Sequence, residues 1–208
     1  MAVSFDCFGT LVTAERPPDP ASAIASELEA RDVAVPADWD EAFVERHVRA
    51  PEHAEVPLPA HVGRALASRD VEWADNAVRR AVVAAFDPVV ETRPGAVAAV
   101  AAAGERGPVA VCSNCGVPEL VSKALLRSTV DRSAFDAIVT SAACGFRKPA
   151  SEIFEATAEA LDVPPSSLVH VGDDPETDGG ITNAGGTAIS LEETALPAVP
   201  DRLDEVIG

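Results

Sequence analysis

From residue 94 onward the chain alternates helix-patterned stretches with short runs of apolar and β-branched residues. Helical patterns over 94–105, 118–126 and 152–161 lead into Val109-Ala110-Val111-Cys112, Ala137-Ile138-Val139-Thr140 and Leu168-Val169-His170-Val171, and a short helix after Pro175 leads into Thr187-Ala188-Ile189. Strands separated by helices at this spacing imply a parallel sheet covered on both faces. Val3-Ser4-Phe5 has the same apolar character and must join that sheet across the chain in between. The expected fold class is α/β, a Rossmann-like doubly wound parallel sheet. Ligands of such sheets bind at the carboxyl ends of the strands.

The rhythm is broken early by Glu15-Arg16-Pro17-Pro18-Asp19-Pro20, a proline cluster that continues neither strand nor helix. Helical patterns then cover 21–31, 39–48, 60–67 and 73–86, punctuated by Pro36, Pro51, Pro57 and Pro59, with no convincing strand among them. The expected organisation is a core of residues 1–13 and 88–208 with a small all-helical cap, residues 14–87, inserted after the first strand. A chain of 208 residues has room for one full core and a small accessory domain.

Polar residues fall where the strands end. Asp6 is followed by the tight Gly9-Thr10 exit, Ser113-Asn114 follows the second strand, Lys148 lies past the third, and Gly172-Asp173-Asp174 follows the fourth with Asp178 five residues beyond Asp173. Singly, each has an ordinary explanation: Asp173 or Asp174 as a helix cap, Ser113 as a turn residue, Lys148 as a solvated loop lysine. Together and in this order, the four sites resemble the motifs of the haloacid dehalogenase superfamily. The resemblance spans residues 3–12 and roughly 92–189, and the helical insert resembles the caps of that superfamily.

The resemblance implies phosphoryl transfer to a carboxylate, which needs a nucleophile, a cation and donors for the phosphate oxygens. Asp6 is then the nucleophile. Ser113 donates to a phosphate oxygen, Lys148 balances charge, and Thr10 steadies the loop or the carboxylates. Asn114 and Phe8 contact substrate. A Mg²⁺ ion is held by Asp6, the backbone carbonyl of Phe8 and Asp173, with Asp178 or Asp174 in support. The expected partner is a small phosphorylated molecule.

Phe8 departs from that pattern, because phosphatases of the superfamily typically carry a second aspartate there that protonates the leaving alcohol. Such general acid help is worth about 100- to 10,000-fold. Dehalogenases typically have an aromatic residue at this position, since halide leaves without a proton. They also work without Mg²⁺ and typically carry serine and asparagine in the fourth motif, and a tyrosine six residues after the motif lysine. Here the fourth motif is acidic, that position is Phe154, and the chain contains no tyrosine. The Mg²⁺-dependent phosphatase is therefore the preferred expectation. A metal-independent 2-haloacid dehalogenase and a non-catalytic phospholigand-binding member stand as alternatives.

Composition narrows the partners. With 34 acidic against 16 basic residues and a formal charge of -18, the surface repels nucleic acid and anionic membranes. Only Lys123 and Lys148 are lysines, a balance typical of proteins adapted to high internal salt. There is no basic leader and no membrane-length apolar run, so a soluble cytoplasmic protein, monomer or homodimer, is expected. Cys112 and Cys115 have CxxC spacing without a second pair and read as small buried residues. Cys7 and Cys144 are expected at one end of the sheet. His170, inside an apolar strand, reads as a satisfied core histidine. His47, His53 and His61 show no metal spacing, Trp39 and Trp73 read as cap core, and Arg46, Arg49 and Arg64 read as surface residues of amphipathic helices.

The charge balance predicts that the melting temperature rises by several degrees as potassium chloride is raised to molar concentration, because salt screens acidic self-repulsion. A flat thermal-denaturation series would contradict the halophilic reading.

Overall fold

The structure is a computed structural model that describes residues 1–207. In chain order the elements are β1 (Ala2–Phe5), β2 (Val12–Ala14), α1 (Pro20–Glu29), α2 (Trp39–Val44), α3 (Leu58–Ala67), α4 (Ala77–Ala85), β3 (Val90–Thr92), α5 (Ala96–Gly104), β4 (Val109–Ser113), α6 (Leu120–Arg127), β5 (Ala137–Thr140), α7 (Ser141–Cys144), α8 (Ser151–Ala160), β6 (Leu168–Gly172), α9 (Pro175–Asp178), β7 (Thr187–Ser190) and α10 (Val199–Ile207).

Five strands form one parallel sheet in the order β5-β4-β1-β6-β7. The chain adds β4 and β5 on one side of β1 and β6 and β7 on the other. The direction of winding therefore reverses at β1, and its carboxyl end opens into the crevice where such sheets bind ligands. Each of β1, β4 and β6 is buried along its whole length, which is why these runs read as continuously apolar rather than alternating.

Alternation of side chains sorts the strands between two apolar layers. Val3, Phe5, Val109, Val111, Val169 and Val171 face one layer, which runs on without interruption into the helical block through Ile24, Leu28, Val62 and Leu66. Ala2, Ala110, Cys112 and Leu168 face the other, filled by Ile153, Phe154 and Ile181. His170 points into this second layer, edge-on to Phe154 with ring centroids 5.2 Å apart.

Helices α1 to α4 occupy the segment read as a cap, but three features depart from the expectation. β2 and β3 pair antiparallel, Val12 opposite Thr92 and Ala14 opposite Val90, and draw the two ends of the helical segment together. Strands of three residues are too short for alternation to reveal. The helix expected over 39–48 stops at Val44, where the Arg69 guanidinium grips Asp38 and Glu45 at the two ends of α2, 2.8 Å from each. The helix expected over 73–86 begins at Ala77, because Asp75 turns the chain at φ 45° and Trp73 is packed against Gly63.

Trp39 is buried, donates its indole N–H to the Ala21 carbonyl at 2.9 Å and tilts against Phe43. His47 and His61 each direct Nε2 at a backbone carbonyl, of Ala42 and Phe43, as satisfied packing residues do. All four cysteines are free; Cys7 follows β1 and Cys144 ends the helix that follows β5, both at the carboxyl edge of the sheet. Among the described residues no helix is long and apolar enough to cross a membrane.

Replacing Phe154, fully buried at 0% exposure, by alanine should cost about 3–5 kcal/mol in urea unfolding. A loss below about 1 kcal/mol would mean that this face of the sheet is not close-packed.

Candidate active site

The site grows from the end of β1. The Asp6 N–H continues the ladder to the Val171 carbonyl at 2.9 Å, so Asp6 leaves the sheet between β4 and β6. The chain then folds back at once. The Leu11 and Val12 N–H groups both bond to the Cys7 carbonyl, and the Gly9 N–H to that of Val12. Gly9 sits at φ 89° with the Asp173 carboxylate filling the space a side chain would take, so geometry and crowding both require glycine. Arg93 donates to the Gly9 carbonyl and holds the turn from outside.

Thr10, fully buried, donates its hydroxyl to Asp173 Oδ1 at 2.7 Å. It steadies a carboxylate, one of the two roles expected of it. Ser113 ends β4, buried beside the same edge. Asn114 is the surprise. Its Oδ1 accepts from the Lys148 N–H at 2.7 Å and its amide nitrogen donates to the Lys148 carbonyl at 3.0 Å. Its amide clamps the backbone of the lysine, a role beyond the substrate contact expected of it.

That clamp aims a buried ammonium. Lys148 Nζ lies 3.0 Å from Asp6 Oδ1 and 2.5 Å from Asp178 Oδ1. Burial disfavours the charged lysine, but Asp6 and Asp178 outweigh it and hold its pKa above the ordinary value. Asp178 accepts also from His170 Nε2 at 3.0 Å and, through Oδ2, from the Asp174 N–H at 3.0 Å. Burial pushes the Asp178 carboxyl up, yet the His170 hydrogen bond and the Lys148 charge prevail and keep it below the usual carboxylate range.

His170 is placed by the sheet register, opposite Ser4, whose Oγ is 2.8 Å from His170 Nδ1. Burial lowers its pKa, so it is neutral near pH 7. A carboxylate only accepts, so the single proton sits on Nε2 and Nδ1 accepts from the Ser4 hydroxyl. The histidine is satisfied, as expected, but it also supports the Lys148 anchor.

Asp6, Asp173 and Asp178 bring carboxylate oxygens within 4.8 Å of one another. Burial, then repulsion from Asp6 and Asp178, raises the Asp173 pKa against the Thr10 hydrogen bond. Asp6 Oδ1 is sealed from solvent without a hydrogen bond; Lys148 neutralises it by proximity but is not aligned to donate. Three carboxylates face one ammonium, and one buried oxygen has unused acceptor capacity. A hard, oxygen-seeking divalent cation fits this donor set. Asp174 lies outside it. Its oxygens accept from the Glu176 N–H and the Thr177 hydroxyl, and it caps α9.

A cavity of about 320 Å³ opens against the loops that follow β1 and β4; Phe8, Asn114, Arg16, Glu55, His61 and Arg147 are among its walls, whereas Asp6, Ser113, Lys148 and Asp173 are not. Segment 53–58 forms one wall and is fastened to the sheet domain: Glu55 N–H to the Gly145 carbonyl, Arg147 N–H to that of His53, and Leu58 N–H to that of Gly116, each 2.8 Å. Arg46 and His47 line an adjoining cavity of about 500 Å³ that shares Glu55, Val56, His61 and Arg147 with the first, and Arg49 and Arg64 line neither. Arg16, Glu55 and Arg147 were not singled out from the sequence. Nothing periodic marks them, and only the folded contact brings them together.

The model of the haloacid dehalogenase-like hydrolases matches residues 1–185. The chain belongs to that hydrolase family. Among solved structures it is similar to a 2-haloacid dehalogenase from Pseudomonas syringae pv. Tomato DC3000, with TM-score 0.62 and 18% identity over 99% of this chain and 98% of that one. It is also similar to CbbY from Rhodobacter sphaeroides in complex with phosphate, with TM-score 0.57 and 22% identity over 91% and 84% of the two chains. A predicted phosphoglycolate phosphatase from Haemophilus somnus 129pt gives TM-score 0.54 and 18% identity over 91% and 84%. At these identities the likeness is one of fold, and the similar structures include both phosphatases and dehalogenases. No curated protein matches the chain.

Asp178→Asn should destabilise the hydrolase by about 3–5 kcal/mol at neutral pH, because Lys148 loses a buried partner. With its folded pKa below an unfolded value of about 3.9, Asp178 contributes fully above that pH and progressively less beneath it. The wild type should therefore lose more stability than the variant as pH falls below about 4. Parallel acid limbs in denaturant titrations would contradict this anchoring of Asp178.

Proposed function

We propose that the chain is a Mg²⁺-dependent phosphatase of a small phosphorylated molecule, working through an aspartyl phosphate on Asp6. The observation that carries this reading is the charge balance of the cluster, three carboxylates against Lys148 with an unpartnered oxygen on Asp6. Packing such carboxylates together without a further cation is electrostatically costly. Asp6, Asp173 and the Phe8 carbonyl would hold the ion directly. Asp178, its oxygens committed to Lys148, His170 and the Asp174 N–H, would act one step removed. When bound, the ion supplies positive charge to the phosphoryl oxygens.

Asp6 attacks phosphorus as the bond to the leaving oxygen breaks. Lys148 balances the charge that nucleophile and phosphoryl group bring together, and Ser113 donates its hydroxyl to a phosphoryl oxygen. Asn114 contributes by keeping Lys148 in place. Residues 14–87 would act as the cap that selects the substrate and excludes water.

The dehalogenase reading is favoured by one observation, the aromatic Phe8 in the cavity wall. Against it stand the acidic cluster and Phe154, which is packed into the apolar layer and bears no hydroxyl.

Release of phosphate from acetyl phosphate and 4-nitrophenyl phosphate, in molar potassium chloride with Mg²⁺ and then with chelator, tests the proposal beside chloride release from 2-chloropropionate. Phosphate release that chelator stops, and that Asp6→Asn abolishes without loss of fold, is expected. Asp173→Ala should weaken Mg²⁺ binding at least about tenfold by calorimetry. Metal-independent chloride release would overturn the proposal in favour of dehalogenation.

A further inference from the structure

Phe8 leaves this site without the carboxylate that would protonate a leaving alcohol, yet the cavity it lines is not without proton carriers. Four side chains of the lining can in principle hold a transferable proton: Glu15, Glu55, His61 and Cys115. Glu15 is exposed. The Nε2 proton of His61 is spent on the Phe43 carbonyl at 2.6 Å. The Cys115 thiol donates to the Val117 carbonyl, and burial raises its pKa. Glu55 remains, and the fold has fixed it in place.

Glu55 comes from the helical segment but is held by the sheet domain. Its N–H bonds to the Gly145 carbonyl at 2.8 Å. Its Oε2 accepts from the Ser141 hydroxyl at 2.8 Å, and that hydroxyl accepts in turn from the Cys115 N–H at 2.9 Å. Arg147 approaches Oε2 only to 3.9 Å. The carboxylate is thus tied to the loop that leaves β4 through Ser113 and Asn114, and its side chain is 10% exposed. One oxygen is engaged by Ser141. The other, Oε1, lies over Gly116, 3.1 Å from where a Cβ would be, so the absent side chain makes room for it.

We propose that Glu55 is the general acid and base of this enzyme, reaching across the cavity to do what Phe8 cannot. The role rests on the phosphatase reading. In the first half, Asp6 forms its bond to phosphorus, the bond from phosphorus to the leaving oxygen breaks, and Glu55 Oε1 gives its proton to that oxygen, releasing an alcohol. In the second half, the Glu55 carboxylate takes a proton from water as the water oxygen attacks phosphorus. The acyl phosphate bond breaks, Asp6 returns as a carboxylate, hydrogen phosphate leaves, and Glu55 is protonated again. The substrate class follows: with a proton supplied, alkyl phosphates join acyl and aryl phosphates within reach.

Glu55→Gln is the test, because glutamine still accepts from Ser141 and keeps the seam while losing the proton. The value of kcat/KM reports only steps through the first bond cleavage, so its dependence on the leaving group isolates the acid. For a panel of alkyl phosphates, such as glycerol phosphates and hexose phosphates, the variant should lose at least about 100-fold in kcat/KM. For acetyl phosphate, whose leaving carboxylate needs no proton, the loss should stay below about tenfold. Losses of equal size on both classes would mean that Glu55 only shapes the site, and would overturn the proposal. So would an undiminished rate on alkyl esters, or a wild type that turns over acetyl phosphate but no alkyl ester. A wild type that hydrolyses no phosphate compound would overturn the phosphatase reading itself, and the role of Glu55 with it.

Discussion

A buried ammonium suspended between two carboxylates organises this molecule. Removing a charge from water costs several kcal/mol, and Lys148 is compensated by Asp6 on one side and Asp178 on the other. The arrangement is stable only if each partner is held where it is needed, and the surrounding sequence does that. Asn114 clamps the lysine backbone, and His170 and the Asp174 N–H saturate Asp178. Asp178 in turn sets the histidine tautomer, and Ser4 donates to the free Nδ1. These residues come from β1, the loop after β4, β6 and the turn into α9, so the reversal of winding at β1 brings them together. Among the partners of Lys148, Asp6 alone keeps a buried oxygen without a hydrogen bond, which suits the nucleophilic role proposed for it.

The second constraint is the seam between the helical segment and the sheet. The apolar layer on one face of the sheet continues into the four helices, and backbone bonds fasten residues 53–58 to the loops after β4 and β5. The cavity beside Phe8 is therefore walled from both sides, and its polar groups are of mixed sign: Arg16 and Arg147 against Glu15 and Glu55. In a chain of charge -18, an anionic ligand gains from these local cations while the overall field opposes it.

Much of this was legible beforehand. Strands buried on both faces announce themselves as short apolar runs, and polar residues after such runs mark the ligand edge whatever their identity. Asp6, Lys148 and Asp173 were readable because each follows a strand or its loop at a recognisable place. What stayed hidden depends on contacts distant in sequence. Nothing local separates Asp174, which caps a helix, from Asp178, which anchors Lys148; only the Lys148 and His170 side chains distinguish them. The ribbon of β2 and β3 pairs strands too short to show a pattern, and α2 ends where Arg69, some two dozen residues later, takes hold of Glu45. Glu55 follows no motif at all; the role proposed for it rests on its contacts with Ser141 and Gly116 across the cavity.

The central claim is that Asp6 receives a phosphoryl group, and a single turnover in ¹⁸O-labelled water tests it most directly. Enzyme in excess over acetyl phosphate, with Mg²⁺ and molar potassium chloride, is quenched in acid and the peptide containing Asp6 is weighed. The account predicts a phosphoryl adduct on that peptide at early times and label only in the released phosphate later, because water attacks phosphorus. No phosphoryl adduct from acetyl phosphate, together with label in the Asp6 carboxylate after turnover of 2-chloropropionate, would mean that Asp6 forms an ester attacked by water at carbon, and would contradict it.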